Sequence, residues 1–136
     1  MIKIYSKVDP EKLLHFVVKK EDFVQGRVDL IPPDQFLQCS TLNLKRGTTF
    51  KPHQHIWKRR NEMWIAQESW VVLSGSVSCF FYDTDGTFLK RVTLRQGEAS
   101  FTLEGGHNYK IRVPNTHVLE YKVGKYEGQE KDKVFI

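Results

Sequence analysis

The 136-residue chain has the length of a single domain, and its content of 40% hydrophobic and 27% charged residues is typical of a globular protein. No apolar run approaches the roughly 20 residues needed to span a bilayer, so we expect no membrane segment. The first residues, MIKIYSKVDPEK, lack the apolar core of a secretory signal, which predicts a cytoplasmic protein. We therefore expect Cys39 and Cys79, which form no spacing motif, to be reduced.

The net charge is +5, and part of the excess lies in the run Lys58-Arg59-Arg60. Such a run is compatible with a solvated loop. The alternative is a basic rim, led by Lys58 and Arg59, that attracts a phosphate or carboxylate ligand. The chain has no recognised nucleic-acid motif and no aromatic stacking platform beside the charge, so we expect no nucleic-acid partner.

Residues 1–26 allow two interpretations. Asp9 could cap a helix that begins at Pro10. The apolar run LLHFVV at 13–18 fits a buried strand instead, and periodicity cannot decide for so short a run. We interpret the segment as an N-terminal extension or edge strand, with His15 as a packed, hydrogen-bonded core histidine.

The next elements are predicted as strands separated by turns. Pro32-Pro33-Asp34 marks a turn, residues 36–44 (FLQCSTLNL) form a strand, and Lys45-Arg46-Gly47 is the turn that follows. A strand through His53 and His55 comes next, because Pro52 favours an extended chain and disfavours a helix.

Residues 56–67 are predicted to be a polar and basic loop, long enough to fold over the mouth of a cavity. The strand pattern returns at Glu68, which shares a face with Trp70. We expect Trp70 to pack in the core, and Trp57 and Trp64 to serve as an aromatic lid or an oligomer contact.

The remaining chain alternates short strands and turns. Asp83-Thr84-Asp85-Gly86 separates two alternating runs and predicts a β-hairpin. Further strands are expected at 100–103, 109–113 and 117–123. The pattern predicts an all-β protein, an antiparallel sandwich or barrel over about residues 27–124, followed by a polar C-terminal tail or surface strap.

The sequence His53-Gln54-His55 carries the strongest chemical signal. Residues two apart on a strand point to the same face, so both imidazoles should project into the interior. Buried imidazoles need hydrogen bonds or a metal ion at their nitrogens. We therefore interpret this segment as a metal-binding strand. A polar pocket that binds a ligand through hydrogen bonds alone is the alternative.

Three features follow one another along the chain. Gly47 precedes His53 by five intervening residues, Glu68 precedes Gly75 by six, and a glycine corner precedes His107. This order resembles the cupin superfamily, whose first motif reads G-x5-H-x-H-x(3,4)-E-x6-G. The resemblance implies a jelly-roll barrel, the double-stranded β-helix, with one divalent transition metal inside: zinc, iron, manganese, nickel or copper. By this resemblance the ligands are His53, His55, Glu68 and His107.

Within that superfamily, the segment from Trp70 onward resembles the WbuC family of cupin-fold metalloproteins. The similar features are the FFYDTDG hairpin, the GGH corner and the ending LEYKVGKYEGQEKDKVF. That family is associated with bacterial surface-polysaccharide gene clusters. The chain departs from the superfamily motif in having twelve residues between His55 and Glu68, which leaves Glu62 as a rival for the carboxylate position.

The resulting hypothesis is a metal-dependent enzyme that acts on a sugar or sugar nucleotide, with Glu68 or a nearby histidine moving the proton. Lys58, Arg59, Tyr109 and Arg112 are the candidate residues for binding an anionic sugar derivative, and we expect a homodimer. The alternatives are a non-catalytic module that binds a sugar or small anion, and a metal-independent sugar-nucleotide ketoisomerase.

Overall fold

The computed structural model describes residues 2–17, 20–59 and 63–136. Within these residues there is no α-helix, and two 3-10 turns lie at Lys20–Asp22 and Gln129–Lys131. The strands are β1 (Ile2–Tyr5), β2 (Leu13–Val17), β3 (Gly26–Asp29), β4 (Leu37–Leu44), β5 (His53–His55), β6 (Trp57–Arg59), β7 (Met63–Ile65), β8 (Glu68–Ser74), β9 (Ser76–Tyr82), β10 (Phe88–Arg95), β11 (Ala99–Thr102), β12 (Gly106–Ile111), β13 (Thr116–Val123) and β14 (Lys133–Phe135). No helix in this part of the chain is long and apolar enough to cross a membrane.

Two five-stranded sheets make up the barrel, and every pairing within them is antiparallel. One sheet has the order β10-β9-β12-β5-β14 and the other β11-β8-β13-β4-β3. Neighbouring strands in each sheet are mostly distant in sequence, as expected when a chain wraps back and forth between two sheets. The prediction of an all-β antiparallel barrel is confirmed.

The two sheets share one apolar core. Leu42, Val72 and Val118 from one sheet and Val77 and Ile111 from the other are almost completely buried. Across the gap, the ring of Trp70 stacks on that of Tyr109, with centroids 3.9 Å apart and planes 10° apart. The predicted core position of Trp70 is therefore confirmed.

The N-terminal strands β1 and β2 pair only with each other, as a separate two-stranded sheet. The structure thus favours a strand over a helix at residues 13–17. His15 is exposed rather than packed in the core, which corrects the prediction: its apolar neighbours belong to a hairpin outside the main barrel. The predicted hairpin around residues 83–86 is present, with β9 and β10 in antiparallel register.

The stretch predicted as a loop at 56–67 contains a second small hairpin. Strand β6 pairs with β7, so Trp57 lies opposite Ile65 and Lys58 opposite Trp64. The Trp64 ring packs directly on Gly124, where φ is +97° and any side chain would overlap the ring. This contact holds the hairpin against the end of β13, close to the site described below.

The C-terminal segment, predicted to be a polar tail or a surface strap, ends in a strand of the barrel. Strand β14 pairs with β5, so that Lys133 lies opposite His55 and Phe135 opposite His53. The edge of β5 gains backbone hydrogen bonds from this pairing. The last strand is consequently part of the sheet that carries the two histidines.

Candidate metal centre

Three strands from both sheets bring the predicted ligands together. Strand β5 carries His53 and His55 on its inner face, and both are buried (6% and 5% exposed). Its neighbour β12 places His107 directly opposite His53. From the facing sheet, β8 projects Glu68 between them. Strand alternation alone therefore aims four polar side chains at one interior point.

The donor atoms of these four residues lie within 4.8 Å of one another, and all four side chains are buried. Glu68 Oε2 is 3.3 Å from His55 Nε2, and Glu68 Oε1 is 3.2 Å from His107 Nε2. The His53 and His107 rings are in contact, with centroids 4.6 Å apart. Three imidazole nitrogens and a carboxylate at one point form a donor set suited to a divalent transition metal.

Two of the histidines are oriented by hydrogen bonds on the far side of the ring. His53 Nδ1 donates to the carbonyl of Lys51 at 3.0 Å. His55 Nδ1 lies 3.3 Å from the carbonyl of Asp132 and 3.1 Å from its carboxylate Oδ2. A proton held at Nδ1 leaves the Nε2 lone pair directed at the centre. Metal-binding histidines are commonly fixed in this way.

The hydrogen-bond balance at His55 tests whether a metal fits here. Asp132 holds the Nδ1 proton, so a neutral ring presents a lone pair to Glu68 Oε2 only 3.3 Å away. Two acceptors cannot satisfy each other; either the ring carries a second proton or a cation lies between the two atoms. The four residues therefore fit a bound cation, and the group could bind a metal.

Contacts at the centre lower the pKa of Glu68 and raise the pKa of His55. Burial by itself would raise the pKa of Glu68, but hydrogen bonds from His107 and His55 hold it well below its usual value. Burial likewise would lower the pKa of His55, and the contacts with Asp132 and Glu68 outweigh that and raise it. Without a metal, the protein thus stabilises a charged pair between His55 and Glu68.

The pKa of His53 is lowered, in contrast to that of His55. Burial, then the nearby charges of His107 and Lys133, lower its pKa to about 4, so this ring is neutral at physiological pH. The neutral Nε2 faces the ammonium group of Lys133 at 3.1 Å. A neutral imidazole with its lone pair inward is the form that coordinates a metal.

A cavity of about 160 Å³ opens beside the centre, between the two sheets. Its walls include His53 and Glu68, the rings of Trp70 and Tyr109, and a polar cluster that contains Glu120 and Arg27. In that cluster, Glu120 accepts hydrogen bonds from Trp70 Nε1 at 2.9 Å and pairs with Arg27 at 2.7 Å. The cavity therefore joins the candidate metal centre to a second buried carboxylate.

Two of the predicted ligand-binding residues lie elsewhere than expected. The Lys58 ammonium is largely buried and pairs with Asp132 Oδ1 at 2.7 Å, so it is not a free cation on a rim. Arg112 is exposed and donates to Thr93 at 2.6 Å. It directly follows the end of β12 and is not among the residues that line the cavity.

Tyr109 does line the cavity, with its hydroxyl 3.2 Å from Ser100 Oγ. The side chain of Arg59 and the whole of Glu62 fall outside the described residues, so neither prediction is tested. Trp57 is half exposed and donates to Glu104 at 3.4 Å, at the outer face of the β6–β7 hairpin. His117 stacks on Phe23, away from the centre.

The contribution of the C-terminal segment to the site is not apparent from the sequence. Asp132 is 1% exposed and binds three cationic or titratable partners: His55, Lys58 and Lys122. Those contacts outweigh burial and hold its pKa far below the usual value. The only sequence signal was an acid between two lysines in QEKDKVF, which resembles any polar terminus.

Comparisons with known proteins give the fold its name. No protein-family model matches the sequence, and no curated protein matches it. Solved structures do match. An uncharacterised double-stranded β-helix protein from Klebsiella pneumoniae aligns over 85% of this chain and 95% of its own, with a TM-score of 0.62 and 11% identity. The chain has the double-stranded β-helix fold of the cupins.

Two further cupin structures agree. KdgF from Halomonas aligns over 74% of this chain and 79% of its own, with a TM-score of 0.56 and 19% identity. A variant of oxalate decarboxylase from Bacillus subtilis aligns over 83% of this chain, with a TM-score of 0.60 and 15% identity. The chain spans 29% of the length of oxalate decarboxylase and 22% of that of the coconut protein cocosin. The predicted cupin fold is confirmed, and the resemblance to WbuC stays a prediction.

Proposed function

We propose that this cupin is a metal-dependent enzyme that acts on a sugar or a sugar derivative. The observation that carries the proposal is the convergence of His53, His55, Glu68 and His107, buried and with their donor atoms within 4.8 Å. Burying three imidazoles and a carboxylate in a barrel interior costs free energy, and that cost is offset when the four groups share a cation.

A bound divalent metal would supply Lewis acidity for polarising a carbonyl or hydroxyl group. Glu68 has both oxygens against imidazole nitrogens, which favours ligation over proton transfer. Glu120 is a second buried carboxyl that lines the cavity. Burial and the charge of Glu68 raise its pKa to about 7, a value suited to moving a proton near neutral pH. We infer that Glu68 holds the metal and Glu120 accepts or donates the proton.

The assignment of a sugar rests on the resemblance to the WbuC family and its association with surface-polysaccharide synthesis. The volume of the cavity limits the size of the substrate that it can enclose. Sites that enclose a whole drug-sized ligand are roughly 300–1,000 Å³, and this cavity is about 160 Å³. We infer that a monosaccharide, or only the reacting end of a sugar nucleotide, enters it. The stacked aromatic pair Trp70–Tyr109 offers an apolar wall for a sugar ring.

The test is elemental analysis of protein purified without a metal-affinity tag, followed by a turnover screen with free and nucleotide-linked sugars. The expected result is one transition-metal ion per chain, with turnover that a chelator removes and the same ion restores. Metal-free protein that stays metal-free after incubation with each candidate ion would contradict the proposal.

A metal-independent acid/base enzyme is a second candidate, and one observation favours it. Each inward-facing Nε2 already has a polar neighbour in this structure: Glu68 for His55 and His107, and Lys133 for His53. Such a network could transfer protons without any ion. This candidate predicts turnover that is unchanged by a chelator and lost in His107→Ala.

A further inference from the structure

Lys133 occupies an unusual position for a lysine. It lies on the last strand, β14, opposite His55, and its side chain projects into the cavity beside the candidate metal centre. The side chain is partly buried, and burying an ammonium group is costly unless it has a hydrogen-bonding or charged partner.

The other cations around the cavity are already paired with carboxylates. Arg27 binds Glu120 and Asp29, while Lys58 and Lys122 each bind one oxygen of Asp132 at 2.7 Å. Among the described residues, Lys133 donates a hydrogen bond to His53 Nε2 at 3.1 Å. That nitrogen is the atom through which His53 would bind a metal.

Metal binding and the Lys133 hydrogen bond therefore compete for one lone pair. When His53 coordinates a metal, the ammonium group loses this acceptor while it remains in the cavity wall. It then needs a new hydrogen-bond acceptor. A ligand with a carboxylate would provide a charged acceptor, which is the stronger kind and which an uncharged ligand lacks.

We propose that Lys133 binds the carboxylate of a small organic acid, such as a sugar acid, in the cavity beside the metal centre. This inference rests on the proposed metal-dependent function and names the class of ligand for that site. The charges favour a monoanion, because Glu68 and Glu120 already line the same cavity and disfavour a doubly charged phosphate. The small volume of the cavity favours a compact acid.

The experiment uses the full chain loaded with Co²⁺, with glycolate as the probe acid and uncharged glycolamide as its matched control. Cobalt binding is followed by visible absorption and glycolate binding by calorimetry. The variants are Lys133→Met and Lys133→Gln, with Lys131→Met as the control because Lys131 is exposed two residues away. Circular dichroism establishes that each variant is folded.

We expect the wild type and Lys131→Met to bind glycolate equally. Both Lys133 variants should bind it about 10- to 100-fold more weakly. Cobalt affinity should be undiminished in these variants, and glycolamide should bind all proteins alike.

Equal glycolate binding by wild type and the Lys133 variants would overturn the inference. So would Lys133-dependent binding of inorganic phosphate that is tighter than that of glycolate. Failure of the wild type to bind cobalt is a different result: it would contradict the metal centre itself, and this inference with it.

Discussion

The site combines two parts of the chain that differ in how they reach it. The ligand strands β5, β8 and β12 carry His53, His55, Glu68 and His107, each aimed inward by the alternation of its own strand. The C-terminal segment 128–136 arrives separately, pairs with β5 through three residues, and adds Asp132 and Lys133. The first part supplies the donor atoms. The second orients His55 through Asp132 and places the Lys133 ammonium against His53, so the charges around the donor atoms depend on both parts.

Removing the two histidines of β5 should have the largest effect of the variants considered, on the metal content. We predict that His53→Ala/His55→Ala reduces bound metal from one ion per chain to a background level, because two of four ligands are lost. His117→Ala is the matched control, since that ring stacks on Phe23 outside the site. Elemental analysis checks the result, and metal retained at full stoichiometry in the double variant would show that the ion is bound elsewhere.

The C-terminal contribution is tested by Asp132→Asn. The variant leaves Lys58, Lys122 and His55 without their buried counter-charge, and we expect the metal-free protein to lose about 3 kcal/mol of unfolding free energy. Metal affinity should fall about 10- to 100-fold, because His55 loses the carboxylate that orients it. Denaturant unfolding and metal titration measure the two effects.

The cost of Asp132→Asn should also depend on pH. The pKa of Asp132 is lowered, so its contribution is present above its unfolded value of about 3.9 and is lost as the pH falls below it. The pKa of His55 is raised, so its contribution is present below its unfolded value of about 6.5 and is lost as the pH rises through the folded value. The difference between wild type and variant should therefore be largest at about pH 4.5–6.5. A difference that does not change from pH 3 to 9 would argue against the charged contacts.

Lys58→Met should have a smaller effect. Asp132 keeps Lys122 and His55, so we expect a loss of about 1–2 kcal/mol in unfolding free energy and little change in metal content. Thermal unfolding of the metal-free protein measures the loss. An unchanged stability together with weaker binding of an anionic ligand would instead support the original prediction that Lys58 is part of a basic rim.

The smallest effect is predicted for Arg112→Ala. Its side chain is exposed and bonded to Thr93 on the outer face, so stability should change by less than about 0.5 kcal/mol. Binding of metal and of glycolate should be unchanged. A clear loss of ligand affinity in this variant would show that the outer face of β12 contacts the ligand.

The sequence predicts those features that depend on local periodicity. The inward direction of His53 and His55 follows from a two-residue repeat, and the hairpin at residues 83–86 follows from its turn residues. The place of Glu68 is implied by the resemblance to the cupin motif, with six residues between it and Gly75. The structure reproduces each of these short-range patterns.

Positions that depend on long-range contacts differ from their predictions. The sequence predicts Lys58 in a solvated or ligand-binding run, but its partner is Asp132, 74 positions later. His15 lies in an apolar run that belongs to a hairpin outside the barrel, so it is exposed. Arg112 lies just beyond the end of β12 and donates to Thr93, 19 positions earlier. The position of Lys133 depends on the pairing of the final strand with β5. Tertiary pairing decides these positions.

The most direct test of the metal centre is a crystal structure of cobalt-loaded protein, with anomalous diffraction recorded at the cobalt edge. The account predicts one strong peak per chain, about 2.0–2.2 Å from nitrogen atoms of His53, His55 and His107 and from a Glu68 oxygen. In that structure the Lys133 ammonium should have left His53 Nε2. A peak at other side chains, or no peak while Lys133 remains bonded to His53, would contradict it.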